Sequence, residues 1–153
     1  MGHDLTIEVT QWSGEVTVPE EADGGVSAAT VSAELDLSSM EVREGTGGAK
    51  PLSDKDRQEI LKGARKALGR ATTVSFTSSK IIPSSTGGAI DGTITLNGKS
   101  QPARLQVTTK EPGKYRGNTT IKQTDFGITP FSAMLGALRL ADEVGAEFEV
   151  NLT

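Results

Sequence analysis

Two pairs of carboxylates near the C-terminus are the residues whose types and spacing could most directly perform chemistry. Asp142 is followed by Glu143, and Glu147 and Glu149 stand two residues apart. Paired carboxylates act as general acid and general base where burial separates their pKa values. Glu147 and Glu149, however, share the outward face of a predicted strand, where solvated charges are the default. The pairs therefore indicate a surface and not a catalytic centre.

An Asp-Phe-Gly triplet at Asp125–Gly127 is the second candidate. The same triplet binds metal in protein kinases, where a glycine-rich loop, a lysine-bearing strand and a His-Arg-Asp motif accompany it. This sequence contains none of those companions. A β-turn with Asp125 as its capping residue is the simpler interpretation.

Nucleophiles and metal ligands are scarce. His3 is the one histidine and cysteine is absent, so disulfides, thiolate chemistry and Cys-based metal sites are excluded and a catalytic metal is not expected. The serine pairs Ser78-Ser79 and Ser84-Ser85 have no base that the sequence would bring to them. We therefore predict no enzymatic activity and no cofactor.

Composition and charge limit the possible partners. The 153 residues fit a single domain spanning 1–153, and the net charge of −4 supplies no basic field for nucleic acid. No apolar run reaches the roughly 18 residues of a membrane span, so integral membrane association is not expected. The opening MGHDLT is too polar for a secretory signal, which predicts a cytoplasmic location for the chain as written.

The elements that would position any site are mostly strands. Eighteen glycines and 4% aromatic residues are typical of an all-β protein with many turns. Apolar and polar residues alternate from Asp4 to Thr10 and again, with few interruptions, from Thr72 to the C-terminus. Asn97-Gly98 predicts a tight hairpin turn. At Ser38–Ser39 the alternation of apolar and polar residues shifts by one position, which predicts a bulge or corner.

One segment predicts an α-helix. Ser53 is the candidate N-cap, with Asp56 three residues later, and Gly69 fits the position after the last turn. The apolar stripe of this helix is narrow, so we expect the helix on the surface or over one end of the fold. The complete pattern predicts an all-β protein with one or two short helices, folded as an up-and-down antiparallel β-barrel of about eight strands. A two-sheet sandwich is the alternative.

The inward positions favour a cavity. They hold small apolar side chains with Phe76, Tyr115 and Phe148 as the large rings, while Gly92 and Gly117 add no side-chain volume. A cavity lined in this way would bind an apolar, chain-like guest, with Tyr115 as the candidate polar contact. The alternative is a structural or interaction domain whose core fills itself. The candidate lining consists of Ile7, Val9, Val74, Phe76, Ile94, Leu96, Leu105, Val107, Tyr115, Ile121, Phe126, Phe131, Met134, Leu135, Phe148 and Val150.

The segment Pro130–Leu140 carries the last members of that lining. Phe131, Met134, Leu135 and Leu138 fall at helical spacing. Two interpretations remain open: a flexible lid that admits lipid at the barrel mouth, or an ordinary core-facing turn of helix.

Four ordered motifs resemble the YceI-like, polyisoprenoid-binding, lipocalin-like family. ITLNGKSQPARLQV (Ile94–Val107) resembles that family's hairpin, and TTVSFTSSKI resembles its "ITFKST" strand. KQTDFGI (Lys122–Ile128) and LADEVGAEFEV (Leu140–Val150) are similar to the segment before the final hairpin and to the closing strand. The resemblance covers nearly the whole chain.

The resemblance implies an eight-stranded antiparallel barrel with a helix, whose apolar tunnel binds a long isoprenoid such as a polyprenyl quinone or alcohol for carriage, storage or sequestration. Members of the family usually begin with a further strand before the segment that GHDLTIEV resembles. A chain without that strand would have an uncapped sheet edge, which permits a homodimer. Many relatives also carry a secretory signal, and this chain shows none.

Overall fold

The computed structural model describes residues 4–46, 52–130, 132–133, 138–139 and 141–152. Among these residues there is one α-helix, α1 (Asp54–Leu68). Short 3₁₀ turns lie at Glu21–Asp23, Gly25–Ala28, Leu37–Ser39 and Gln123–Phe126. The strands are β1 (Asp4–Val9), β2 (Trp12–Thr17), β3 (Thr30–Asp36), β4 (Met40–Thr46), β5 (Thr73–Ser84), β6 (Gly87–Leu96), β7 (Lys99–Glu111), β8 (Lys114–Lys122), β9 (Ser132–Ala133), β10 (Leu138–Arg139) and β11 (Glu143–Asn151).

Seven strands form one antiparallel sheet in the order β11-β8-β7-β6-β5-β3-β2. The sheet curls into a half-barrel, and β1 pairs with β4 in a separate two-stranded ribbon. The predicted class, an antiparallel β-barrel fold with a helix, is confirmed. The strand order differs from a simple meander where β8 pairs with β11, past β9 and β10, and where β3 pairs with β5 while β4 pairs with β1.

A corner between β3 and β4 explains that departure. Val9 pairs with Met40 and Trp12 pairs with Leu35, so β1–β2 and β3–β4 are the two arms of one long bent hairpin. The 3₁₀ turn Leu37–Ser39 makes the bend, and the carboxylate of Asp36 accepts a hydrogen bond from the Ser38 amide at 2.9 Å. The predicted corner at Ser38–Ser39 is therefore confirmed. Its consequence is that β4 leaves the main sheet and β3 becomes free to pair with β5.

Helix α1 begins and ends as its sequence predicts. The Ser53 hydroxyl accepts from the Asp56 amide at 3.1 Å, and the Asp56 carboxylate accepts from the Ser53 amide at 3.0 Å. This capping box satisfies two amides that the first helical turn leaves unpaired. Gly69 ends the helix with a φ of 59°, a left-handed value that favours glycine.

The helix covers two parts of the fold. Ile60, which is fully buried, packs with Val42 of the β1–β4 ribbon. Ala67 and Leu68, two turns later, pack on the apolar face of the main sheet. The expectation of a helix at the surface agrees with this arrangement, since its outer residues are exposed while one stripe is covered.

The hairpin between β6 and β7 also follows its sequence. Asn97 has a φ of 56° and Gly98 a φ of 70°, as the two central residues of a type I′ turn require. Starting at this turn, β6 and β7 pair without a register shift, from Leu96 opposite Lys99 to Gly87 opposite Thr108. One face of these long strands therefore stays aligned along their whole length.

The structure describes only Pro130, residues 132–133 and residues 138–139 of the segment Pro130–Leu140. Ser132–Ala133 and Leu138–Arg139 are paired antiparallel strands, with Leu138 opposite Ala133. The choice between a lid and a core-facing turn of helix therefore stays open. Phe131, Met134 and Leu135 lie outside the described residues.

Candidate ligand-binding face

The inner face of the seven-stranded sheet carries the apolar side chains predicted to line a site. Inward residues of neighbouring strands lie opposite each other on this face: Phe76 is opposite Ile94, Ile90 is opposite Leu105, and Gly117 is opposite Phe148. Along β7, β8 and β11 the inward residues alternate with exposed ones. Among the described residues, no polar or charged residue is fully buried. The face is therefore mostly apolar, with Gln101, Tyr115 and Thr119 as polar residues at half-buried inward positions.

One end of this face is closed by packing, and we call it the packed end. Phe126 and Ile128, each 3% exposed, come from the loop after β8 and cover the face from above. Ala67 and Leu68 of α1 pack against the same cluster. The packed end consists of Ala71, Phe76, Ile94, Leu96, Phe126 and Ile128.

Polar side chains hold the covering loop in place. The Asn97 amide group donates to the Phe126 carbonyl at 2.9 Å, and the Gln101 amide group donates to the Asp125 carbonyl at 3.0 Å. The carboxylate of Asp142 accepts from the Thr124 amide at 2.8 Å and from the Thr124 hydroxyl at 2.6 Å. These anchors were not predicted. Only the long-range pairing of β8 with β11 brings Asp142 to the loop.

The opposite end of the face remains accessible, and we call it the open end. It consists of Val107, Tyr115, Gly117, Phe148 and Val150 on β7, β8 and β11. All of these except Gly117 are half-buried, and none belongs to the cluster at the packed end. Leu105 and Ile121 lie at the border, half-buried but packed against that cluster. The open end is thus an apolar surface that the described residues leave partly uncovered.

Two phenylalanine rings lie directly over glycines of the neighbouring strand. A methyl group at Gly92 would collide with the Phe76 ring, and one at Gly117 would collide with the Phe148 ring. The sequence interpretation that these glycines leave empty space is wrong at both places, because a ring occupies the position that a side chain would take. Since each ring lies against the sheet, the glycines keep the aromatic groups close to the backbone.

The remaining residues of the predicted lining lie elsewhere. Ile7 belongs to a separate cluster around Ile60 and Val42, beneath α1. Val9, half-buried, stands at the end of β1 beside the corner. Val74 is half-buried and packs at the border of the packed end. The structure therefore divides the predicted lining among the packed end, the open end and the ribbon.

The serine hydroxyls considered as candidate nucleophiles form hydrogen bonds within the sheet. The Ser78 hydroxyl accepts from the Val31 amide at 2.8 Å, and the Ser79 hydroxyl donates to the Asp91 carbonyl at 3.2 Å. Gln123–Phe126 is a 3₁₀ turn ended by Gly127, not a β-turn capped by Asp125. The sequence interpretation was wrong there because the capping carboxylate is that of Asp142.

Exposed carboxylates with lowered pKa values lie outside the apolar face. Hydrogen bonds from Thr124 hold the pKa of Asp142 below its ordinary value, and Arg104 lowers the pKa of Asp91 by a hydrogen bond. The Arg104 guanidinium meets both oxygens of Asp91, at 2.6 and 2.9 Å. A lowered pKa keeps a carboxylate ionised, which is the opposite of what a general acid at neutral pH requires.

Two open depressions mark the polar surface. One of about 350 Å³ is lined by Arg70, Ala71, Thr72, Thr73, Asn97 and Gly98. The other, of about 370 Å³, is lined by Ser79, Asp91, Gly92, Pro102, Ala103 and Arg104. Neither contains a residue of the predicted lining. Within the described part of the chain, no three His, Asp or Glu side chains gather as metal ligands would.

Comparison with known proteins identifies first the fold and then the family of this chain. Solved YceI structures share the fold: a crystal structure of the Campylobacter jejuni YceI protein matches with a TM-score of 0.60 at 16% identity. A cysteine variant of the C. jejuni protein matches at 0.62 and 15% identity, and a second variant, with a monobromobimane guest, at 0.61 and 15%. In each case the match covers 98% of this chain and 86% of the other.

The YceI-like domain profile matches residues 1–152, and the chain belongs to the YceI-like family. This is a family of binding proteins whose members generally bind polyisoprenoids. The search of curated proteins found no match. None of the helices in the described ranges is long and apolar enough to span a bilayer.

Proposed function

We propose that this protein binds an apolar, chain-like isoprenoid lipid, such as a polyprenyl quinone or alcohol, on the open end of the inner face, for carriage, storage or sequestration and without catalysis. One observation carries the proposal: the open end keeps its apolar side chains only half-buried, while the packed end is closed. Family membership supports the same ligand class.

The chemistry of the open end suits such a guest. Val107, Phe148 and Val150 offer an apolar surface, and the Tyr115 hydroxyl is the one polar group among the five residues of the open end. Each buried methylene contributes about 0.8 kcal/mol, so one isoprene unit contributes on the order of 3–4 kcal/mol before ordering costs. A few isoprene units would therefore bind without any charged contact.

A second candidate function rests on the packed end. Phe126 and Ile128 cover this region from within the chain, and Phe76 fills the space above Gly92. If the open end is covered in a comparable way, the protein is a structural or interaction domain with a self-filled core and no ligand. The two candidates differ in whether a lipid is bound.

The test compares a charge placed on the inner face with the same charge on the outer face of the same strand. Val107→Glu introduces a carboxylate at the open end, whereas Gln106→Glu introduces it at the adjacent exposed position. Binding of a polyprenyl quinone to protein stripped of lipid would be measured by native mass spectrometry and by isothermal titration calorimetry. We expect Val107→Glu to weaken binding at least about tenfold and Gln106→Glu to leave it unchanged.

Two outcomes would reject the proposal. One is an unmodified protein that binds no polyprenyl quinone or polyprenol and yields no co-purifying lipid on organic extraction. The other is a pair of variants that bind equally well, which would place the ligand away from the open end. Circular dichroism of both variants establishes that each retains its fold.

A further inference from the structure

The charges of this chain are unevenly distributed along its sequence. Between Ile60 and Arg70 there are four cations, Lys62, Arg65, Lys66 and Arg70, and no carboxylate. The whole chain has 16 cations and 20 carboxylates, so the residues outside this segment carry 12 cations and 20 carboxylates, a net charge of −8. The net charge of −4 therefore conceals a local cluster of +4. Such asymmetry is typical of proteins that bind a polyanionic surface.

Helix α1 presents most of this cluster to solvent on one side. Lys62, Arg65 and Lys66 are spaced by three and four residues, so they lie next to one another on the helix surface. All three are exposed, whereas Ile60 on the opposite side of the helix is fully buried. Arg70, also exposed, follows directly after the end of the helix. We call Lys62, Arg65, Lys66 and Arg70 the basic face.

The cations of the basic face have no ion-pair partner within the described residues. The ion pairs found there involve Arg43, Arg104, Lys114 and Arg116. Like charges three and four residues apart destabilise a helix, and Lys62 has two such neighbours. The negative end of the helix dipole stabilises cations in the last turn, where Arg65 and Lys66 lie, but Lys62 precedes that turn. Intramolecular contacts therefore do not account for the basic face.

An anionic bilayer surface fits the basic face better than a nucleic acid does. Between Lys62 and Arg70 there is no aromatic, amide or hydroxyl side chain. Aromatic stacking and hydrogen bonds from polar side chains supply much of the contact with nucleic acids. A layer of anionic lipids requires only positive charge within about one Debye length of its surface.

The acidic remainder of the chain does not prevent contact with a flat anionic surface. An α-helix is about 10 Å thick with its side chains, and the Debye length is also about 10 Å at about 0.1 M salt. Charges on the sheet behind α1 are therefore largely screened from a plane that touches the basic face. The apolar stripe of α1 is directed toward the fold, where Ile60 and Leu68 pack. Binding through the basic face should accordingly be electrostatic, without insertion into the bilayer.

We propose that the basic face of α1 docks this protein on membranes that contain anionic lipids, as a peripheral contact. The partner is the layer of lipid phosphates, which is recognised by charge alone. The proposal does not depend on isoprenoid binding, and the vesicles that test it contain no isoprenoid.

Vesicle co-sedimentation compares the loss of charge on the basic face with an equal loss on the sheet. Lys62→Gln with Lys66→Gln removes two cations from α1, and Lys80→Gln with Lys110→Gln removes two exposed cations from β5 and β7. Both double variants have the same net charge, so only the location of the change differs. The vesicles consist of phosphatidylcholine and phosphatidylglycerol in a ratio of about two to one, at about 0.1 M salt.

The unmodified protein should bind these vesicles, and the sheet variant should bind within about twofold of it. The helix variant should bind about 25-fold more weakly, since each cation near an anionic surface contributes about fivefold. Lys62→Arg with Lys66→Arg keeps the charge and should bind like the unmodified protein. Raising the salt to about 1 M should release the protein, because the Debye length falls to about 3 Å. Circular dichroism establishes that each variant retains its fold.

Four outcomes would overturn the proposal. The first is an unmodified protein that does not bind the anionic vesicles at low salt, and the second is equal binding by the two glutamine variants. The third is binding that persists at high salt or on vesicles of phosphatidylcholine alone. The fourth is tighter binding to duplex DNA than to the anionic vesicles, which would assign the basic face to nucleic acid.

Discussion

The packed end and the open end of the inner face have the same alternation of apolar and polar residues, but only the packed end is buried. Each has a phenylalanine ring over a glycine, Phe76 over Gly92 and Phe148 over Gly117. Phe76 is 7% exposed because the loop with Phe126 covers it, while Phe148 stays half-buried. The difference shows that alternation determines which face is apolar, and that distant segments determine whether this face becomes a core or remains a surface.

Replacing the two rings should give the largest contrast between the ends. Phe76→Ala leaves a cavity among buried neighbours and should cost about 3–5 kcal/mol in the free energy of unfolding. Phe148→Ala removes a ring that is already half in water and should cost about 1 kcal/mol. Urea unfolding of both variants measures the difference. Equal costs would mean that the open end is packed as tightly as the other.

Adding a methyl group beneath each ring should give a smaller contrast. At Gly92 the new methyl would meet the Thr77 carbonyl as well as the buried Phe76 ring, so neither neighbour moves easily. We expect Gly92→Ala to destabilise the protein by about 1–3 kcal/mol. At Gly117 the nearest atoms all belong to the Phe148 ring, which can turn toward solvent. Gly117→Ala should therefore cost less than about 1 kcal/mol, and a larger loss in thermal unfolding would show that Phe148 is held in place.

The smallest effect concerns the anchor of the covering loop. Hydrogen bonds from Thr124 lower the pKa of Asp142, so its contribution to stability is present above the pKa of the unfolded chain, about 3.9. That contribution is lost as pH falls through the lower pKa of the folded state. Asp142→Ala should therefore decrease the Tm at pH 7, and the difference from the unmodified protein should shrink below about pH 4. A difference that is constant from pH 7 to pH 3 would exclude this role of the carboxylate.

Features set by neighbouring residues could be predicted from the sequence. The capping box of Ser53 and Asp56, the Asn97-Gly98 turn and the corner at Ser38–Ser39 each depend on a few adjacent residues. Local chemistry dominates in such elements because their hydrogen bonds close within a single turn. The fold class followed because alternation is sustained over most of the chain.

The division of the inner face could not be predicted in this way. It depends on Phe126 reaching back over Phe76, and on Asp142 holding that loop from the start of β11. Pairing across such distances leaves no signal in the neighbouring sequence. The alternation of apolar and polar residues is also the same whether an inward side chain packs in the core or lines a ligand site. The glycines gave the wrong expectation of empty space for the same reason, since the ring over each glycine belongs to another strand.

A methyl NMR titration with a short-chain isoprenoid quinone tests the central claim most directly. The proposed site predicts saturable shifts at Val107 and Val150 of the open end, and unchanged resonances for Ile94 and Leu96 of the packed end. Shifts confined to Ile94 and Leu96, or no saturable shift on the inner face, would contradict it.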